Sequence, residues 1–528
     1  LRLSLKSLVM AFLMAIIIFS IPWVWVNIES IAVKTAAGDI AFFHTALKLC
    51  KLLWALFKEY IPYIFTLYII TAAGVIFLEE RNPDRTIAWL LALGLLPGIG
   101  FIFYFLFGPD PKRRAVFKKY KKKRFYQSTF SEQLPEKEIY TNDIVPSKLV
   151  CLLEQTAHSR LSHWNSLDML LNGENVFPAI EEALERAQRY IHLEYFSIAK
   201  DETGLKLFEI LKKKVREGVP VRVIYDSVGS WRLGRKFIAT LRNEGIDIQP
   251  FLPVSFPMIR RDLNFRNHRK IVVVDGEVAF TGGLNVGDMY FGRNRHMGFW
   301  RDTHVRIKGE AVAAIHEIFL NDWFFCTGQT LSEKETFWDS KGIPDTPLPM
   351  QIAASGPDSN WRAILQGYFH LFTMAQKRIW ITTPYLVPDE SLKMALTTSA
   401  LSGVDVRIII PSRADHRMVF WATRSNIDDL LAAGVRIFAY QNGFIHSKLV
   451  MADGKWLSVG TTNLDNRSLD INFEVQVFVY NEKKTREFEK QFLLDMDQCL
   501  EFNLRHRMER PIWDRIRESL GRLWSALL

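Results

Sequence analysis

The chain has 528 residues, 48% of them hydrophobic, with a net charge of +10 and a mean hydropathy of +0.01. It is too long for one compact domain, too apolar on average for an ordinary soluble enzyme and too polar for an all-membrane transporter. Its 38 Phe and 15 Trp bury enough area to exclude disorder for most of the chain, and Cys50, Cys151, Cys326 and Cys499, with no CxxC pair, support neither a disulfide framework nor a structural zinc site.

Ser7–Ile28 carries no charge and is long enough to span a hydrocarbon core of ~30 Å. Its length suits an uncleaved anchor better than a secretory signal. Ile40–Phe57 places Lys48 and Lys51 on one helical face, in line with Lys58, and Leu, Phe and Trp on the other. That pattern suits a helix in the membrane interface, with a tilted span as the alternative. Ile61–Leu78 and Ile87–Phe107 are again charge-free and predict a transmembrane hairpin joined by Glu79–Thr86. Pro111–Arg124 follows, with nine Lys or Arg and no acid, so the remaining chain is nearly balanced. A nucleic-acid binder more often spreads its charge over a folded face. The positive-inside rule puts this segment, and the body behind it, on the cytoplasmic face of a multi-pass membrane protein. Three spans with Arg2 and Lys6 inside would put the body outside; either the first helix is inverted, or Ile40–Phe57 crosses, or the face assignment fails. In each case the basic segment can hold the body against anionic lipid. The expected domains are 1–110 (membrane and interfacial helices), 111–150 (basic linker), 151–345 and 346–528.

The body alternates helix and strand. Ala179–Arg189 and Gly204–Glu217 read as helices, Tyr190–Phe196 and Val221–Tyr225 as strands, which predicts an α/β layered fold. The order then recurs. Ala187-Gln-Arg-Tyr-Ile191 is echoed by Ala375-Gln-Lys-Arg-Ile379, and Gly218-Val-Pro-Val-Arg222 by Gly403-Val-Asp-Val-Arg407. Two copies of one unit are implied. The first carries 11 extra residues before its best-matched segment, including the apolar, arginine-edged Phe251–Arg261. This is either a membrane-dipping or lid element or a packed surface loop.

The best-matched segments are His268-Arg-Lys270 with Asp275, Gly276, Gly282 and Asn285, and His446-Ser-Lys448 with Asp453, Gly454, Gly460 and Asn463. Both fit HxKx4Dx6GxxN. His and Lys two apart on a strand share a face, and Asp-Gly after the strand predicts a hairpin that brings Gly and Asn back beside them. Two copies then place two His, two Lys and two Asn around one site. Ammonium and amide donors suit a phosphodiester whose charge grows in the transition state. One imidazole can attack phosphorus while the other protonates the leaving alcohol. Such chemistry needs no metal and no nucleotide cofactor. Asp275 and Asp453 complete the candidate catalytic set, with a turn-forming or orienting role placed ahead of proton transfer. Gly282 and Gly460 are expected to allow close backbone approach.

These motifs resemble the paired HKD motifs of the phospholipase D superfamily, and among its members the bacterial cardiolipin synthases. The wider stretches Asn264–Lys270, Thr281–Asp288, Phe299–His304, Gly460–Ser468 and Asn472–Glu474 carry the same resemblance. It implies two tandem phospholipase D-like αβ domains related by pseudo-twofold symmetry, behind an N-terminal transmembrane helical region. It also implies transfer of a phosphatidyl group from one phosphatidylglycerol to another, giving cardiolipin and glycerol through a phosphohistidine. By analogy His268 is the nucleophile and His446 the general acid, then base; the symmetry of the motifs alone does not choose. Asn285 and Asn463 would bind phosphate. A carboxylate downstream of each motif orients its histidine in superfamily relatives, which points to Asp302 for His268 and Glu474 for His446. The partners implied are phosphatidylglycerol, cardiolipin and the lipid bilayer, with no nucleic acid, and an oligomer is left open. A hydrolase, a transferase with another acceptor alcohol, and an inactive lipid-binding scaffold are the competing functions. The DGxxAR signature of the unrelated CDP-alcohol phosphotransferases is absent.

Overall fold

The strands of the body are short β-branched and aromatic runs such as Val-Arg-Val-Ile-Tyr-Asp and Asp-Val-Arg-Ile-Ile-Ile-Pro, buried along most of their length. That is the composition of strands covered on both faces. Several helices start at a side chain that accepts from the first turn: Asp201 takes the Gly204 amide (3.1 Å), Asp389 that of Leu392 (3.0 Å) and Asn481 that of Lys484 (2.9 Å).

The computed structural model describes residues 145–253, 264–292, 298–332 and 346–524, with isolated positions between 59 and 93. The chain divides into two units, Leu1–Tyr104 and Phe105–Leu528. In the first, the described positions are helical. The runs Ser7–Ile28 and Ile40–Phe57, the basic segment Pro111–Arg124, most of Ile61–Leu78 and Ile87–Phe107, and most of the loop Phe251–Arg261 lie outside the described residues. Among the described residues no helix is long and apolar enough to cross a membrane.

Among the described residues of the second unit, the first element is α1 (Ser147–Ala157). The first copy follows as β1 (Asn165–Leu171), α2 (Asn172–Arg186), β2 (Ile191–Tyr195), α3 (Glu202–Arg216), β3 (Val221–Asp226), α4 (Arg235–Asn243), β4 (Asp247–Phe251), β5 (Lys270–Val274), β6 (Val278–Gly282), β7 (Trp300–Arg301), β8 (Thr303–Gly309) and α5 (Ala311–Thr327). The second runs β9 (Met350–Ser355), α6 (Ala363–Met374), β10 (Arg378–Thr382), β11 (Leu386–Val387), α7 (Glu390–Leu401), β12 (Asp405–Pro411), α8 (Arg417–Ser425), α9 (Ile427–Ala432), β13 (Arg436–Tyr440), β14 (Phe444–Ile445), β15 (Leu449–Ala452), β16 (Trp456–Gly460), β17 (Leu464–Asp465), β18 (Glu474–Tyr480), α10 (Glu482–Met496) and β19 (Cys499–Glu501). Two helices, α11 (Leu504–Met508) and α12 (Ile512–Trp524), follow. The helix expected from Ala179 starts earlier, at Asn172, because Val176 and Phe177 are buried in the core.

The sheets have the orders β1-β8-β6-β5-β2-β3-β4 and β9-β18-β16-β15-β10-β12-β13-β19. They correspond strand for strand, with β19 added at one edge. In each, three strands are parallel (β2, β3, β4 and β10, β12, β13) and the motif hairpin (β5–β6 and β15–β16) is antiparallel. A central core joins residues of both sheets, such as Ile271, Val305, Val475 and Val477, to Ile315 and Phe319 of α5 and Phe488 and Phe492 of α10. Each sheet's other face packs on its own helices. Leu149, Val150 and Leu153 of α1 join the core of the second copy, although α1 precedes the first in sequence.

Candidate active site

The site forms where the two copies exchange backbone. β14 pairs in parallel with β7, Phe444 against Trp300 and Ile445 against Arg301. Reciprocally, Asn267 bridges Phe473. The His446 amide donates to the Arg301 carbonyl (2.7 Å) and the His268 amide to the Phe473 carbonyl (2.9 Å). Each His-x-Lys segment is therefore laid beside the carboxylate strand of the other copy.

This placement corrects the expected partners. His268 Nδ1 donates to Glu474 Oε1 (2.9 Å), and His446 Nδ1 to Asp302 Oδ2 (2.8 Å). The two carboxylates were foreseen, but within their own copies; backbone pairing between copies crosses them. With Nδ1 held by a carboxylate, Nε2 is the ring nitrogen left for chemistry. Glu474 also accepts from Thr461 Oγ1, and Asp302 from the Thr303 amide (2.8 Å).

Neither histidine lies within a regular strand. His268 precedes β5 and His446 precedes β15, and each lysine folds back on its histidine's carbonyl, Lys270 at 2.8 Å and Lys448 at 2.5 Å. Lys448 Nζ also lies 3.0 Å from His446 Nε2. Both lysines are fully buried. Burial pushes Lys270 down to about 7 and Lys448 to about 8; Glu474 opposes the fall of Lys270, and Asp302 that of Lys448. Burial likewise lowers both histidines, His446 to about 4 with Lys448 adding to the fall, so both rings are neutral near pH 7. Burial alone would raise Asp302 and Glu474, but the facing histidine, which hydrogen-bonds each carboxylate, and the nearby lysine hold both below the usual carboxylate range. The crossed backbone pairing thus gathers two His, two Lys and two carboxylates into one cluster, in which each group acts on the charge of the others.

Asp275 and Asp453 are outside it. The Asp275 carboxylate accepts from the amides of Gln188, Arg189 and Tyr190 (2.8, 2.7 and 2.9 Å), and Asp453 from those of Gln376, Lys377 and Arg378 (2.9, 2.7 and 3.0 Å). Each stands at the far end of its strand, roughly 16 Å along the chain from the lysine at 3.3 Å per residue. The turn-forming role expected ahead of proton transfer is the one their geometry fits: each holds the turn, with φ of 55° and 54°, against the segments echoed between the copies. Gly282 and Gly460 do allow close approach: a Cβ at Gly282 would lie 2.6 Å from the His304 Cα, and one at Gly460 2.9 Å from the Gln476 Cα. Asn285 follows β6 and is buried, with Nδ2 donating to Tyr290 Oη (2.9 Å) and Oδ1 accepting from the Ser197 amide (3.3 Å). Asn463 is buried beside Asp465, whose carboxyl burial raises to about 6.

Other supporting groups carry no repeated motif. Arg269 holds the Glu474 carbonyl (3.2 Å) and pairs with Asp322 of α5. Arg301 clasps Asp495 of α10 through both oxygens (2.8 and 2.7 Å) and donates to the Asp302 carbonyl (2.5 Å). Tyr385 donates to Asp415, whose charge acts on Lys448. The one signal for Arg301 was its place beside Asp302 in the Phe299–His304 stretch. Asp322 and Asp495 sit on helices far away in sequence and gave none.

The family model described as "Cardiolipin synthase, PLD-like domain" matches residues 180–323 and 368–496, more than half of the chain. The chain belongs to the cardiolipin synthase family. A second family model, "Phospholipase_D-nuclease N-terminal", matches residues 66–109. The cardiolipin synthase of Geobacillus sp. (strain WCH70) is 43% identical over 464 residues, covering 87% of this chain and 92% of its own length. The major cardiolipin synthase of Bacillus subtilis (strain 168) is 40% identical over 472 residues, covering 88% and 98%. Among solved structures, phosphatidylserine synthase of Haemophilus influenzae shares the fold, with a TM-score of 0.53 and 13% identity over 71% of this chain and 96% of its own.

Proposed function

We propose that the chain is a membrane-associated phosphatidyltransferase that makes cardiolipin from two molecules of phosphatidylglycerol. The observation that carries the mechanism is the crossed pair, His268 on Glu474 and His446 on Asp302, around two buried lysines. His268 Nε2 attacks the phosphorus of the first lipid. The bond from phosphorus to the glycerol oxygen breaks, and that oxygen takes a proton from His446. The hydroxyl of a second phosphatidylglycerol then gives its proton to His446 as its oxygen attacks the phosphohistidine. The phosphorus–nitrogen bond breaks and cardiolipin leaves. One phosphodiester replaces another, so no external energy source enters.

Lys270 and Lys448 face the charge on the transferring phosphoryl group, where dry ammonium groups act more strongly than in water. Asn285 and Asn463 add amide donors at the ends of the return strands. His446 is neutral in the free site, so the general acid gains its proton as the lipid anion enters and offsets the Lys448 charge.

Purified protein in phosphatidylglycerol micelles tests the reading. Cardiolipin and released glycerol are expected, in the presence of a chelator as in its absence. Phosphatidic acid as the sole product would replace transfer by hydrolysis, and no turnover would leave a scaffold. His268→Ala and His446→Ala should each abolish transfer; substantial activity in either would overturn the two-histidine mechanism.

A further inference from the structure

Helix α12 is inside out for a helix bathed in water. Its inward face is the half-buried Asp514, buried Glu518 and Gly521. Glu518 is ion-paired with Arg507 (2.9 Å) and Arg510 (2.8 Å). Gly521 lets the helix lie on α8, where a Cβ would meet the Ala422 amide nitrogen at 2.6 Å. Outward it turns Trp513, Ile516, Leu520 and Leu523, which are 68, 41, 53 and 76% exposed. At about 100° per residue these and exposed Ile512 fall within an arc of roughly 100°, opposite the buried face. Arg515, Arg517 and Arg522 flank the stripe on both sides. Soluble proteins seldom expose a contiguous apolar ridge of this kind.

The helix is linked to the site through α8. Asp415, which acts on Lys448, lies in the link from β12 to α8, and α12 packs along α8. The corresponding link after β3 begins at Asp226, which acts on Lys270, and exposes Val228 and Trp231, with the Arg232 guanidinium over the Trp231 ring.

We propose that α12, together with Trp231, seats the catalytic body on an anionic lipid bilayer. The apolar stripe enters the acyl boundary while the flanking arginines reach headgroup phosphates. The occupant is lipid because the flanks carry Arg515 and Arg522 on one side and, on the other, Arg517, which pairs with Asp514 (3.2 Å), so cations outnumber acids along the stripe; a second copy seated here would meet these arginines with its own. The inference rests on the proposed lipid substrate only in choosing a bilayer as occupant. It makes the body's orientation, and not the N-terminal segments alone, responsible for presenting headgroups to the histidines.

Full-length protein carrying a photoreactive benzoylphenylalanine at Leu520 or Leu523, in phosphatidylglycerol vesicles, should crosslink to lipid acyl chains. Crosslinks to a second copy, to another segment of the same chain, or to nothing would overturn the proposal. This readout needs no turnover, so it fails independently of the transfer reaction. The triple variant Trp513→Ser, Leu520→Ser, Leu523→Ser should keep its thermal unfolding and its rate on monomeric short-chain phosphatidylglycerol. Its KM on vesicles should rise about tenfold or more; an unchanged vesicle KM would also overturn the proposal.

Discussion

At the residue scale, two histidines of one motif type are made different by their surroundings. Lys448 lies against the His446 ring, whereas Lys270 reaches only the His268 carbonyl. At pH 7.5 Lys270 and Lys448 are each partly deprotonated and His446 is neutral. An entering phosphodiester anion favours the protonated form of all three, so binding should take up protons. Calorimetry of short-chain phosphatidylglycerol binding in buffers of different ionisation enthalpy measures this; proton release would contradict the charge assignment. In the free enzyme, kcat/KM should fall as pH rises through about 7 to 8, because deprotonation removes the cations that meet the phosphate. The crossed carboxylates give a sharper test. Asp302→Asn weakens proton transfer by His446 and should lower kcat by about 10²–10⁴-fold. With a phosphodiester lipid whose leaving group needs no proton, that variant should accumulate the phosphatidyl group on His268. A phosphatidyl group found on His446 instead would reverse the two roles.

At the element scale, the motif hairpins are held at both ends by different means. Asp275 and Asp453 secure the distal turns through three backbone amides each, while Arg269 and Arg301 secure the carboxylate strands beside the site. Asp453→Ala should therefore cost stability, about 1–3 kcal/mol for the amides left unpaired, with kcat of the folded protein changed by only a few fold. A thousandfold loss of kcat at unchanged melting temperature would restore a direct catalytic role. Arg301→Met leaves Asp495 buried without its cation, a change that costs about 3–5 kcal/mol, and also removes one of the two donors to the Asp302 carbonyl, the other being the Asn172 amide (3.0 Å). Thermal unfolding and kcat should fall together. A variant that loses neither would show that the buried ion pair does not position Asp302.

At the scale of the whole molecule, the candidate site belongs to the pair of copies, not to either copy. The central core draws on both sheets, and each histidine takes its carboxylate from the opposite copy. Each chain thus carries one complete site. A mixture of His268→Ala and His446→Ala chains should remain inactive in the micelle assay, since neither chain holds both imidazoles. Recovered activity would mean that copies are exchanged between chains.

Helix–strand alternation was enough to read the α/β class, and the echoed segments with the repeated spacing of His, Lys, Asp, Gly and Asn were enough to read the duplication, the two hairpins and the four central side chains as candidates. Local chemistry carries those features: β-branched runs set the strands and Asp-Gly sets the turn, although His268 and His446 stand just before their strands and not on them. Even Asp302 and Glu474 were legible as candidates, through their place in stretches that accompany the motifs. What they bond to was not. Whether a carboxylate serves its own copy or the other depends on backbone pairing between segments 144 and 206 residues apart in the chain, and no local pattern encodes that register. The same holds for α12. Its 3.6-residue period is visible in the sequence, but that its polar face is the buried one was decided only by ion pairs with Arg507 and Arg510 and by the close seat of Gly521 on α8. Periodicity fixes which residues lie together on a helix; only packing decides which side faces the protein.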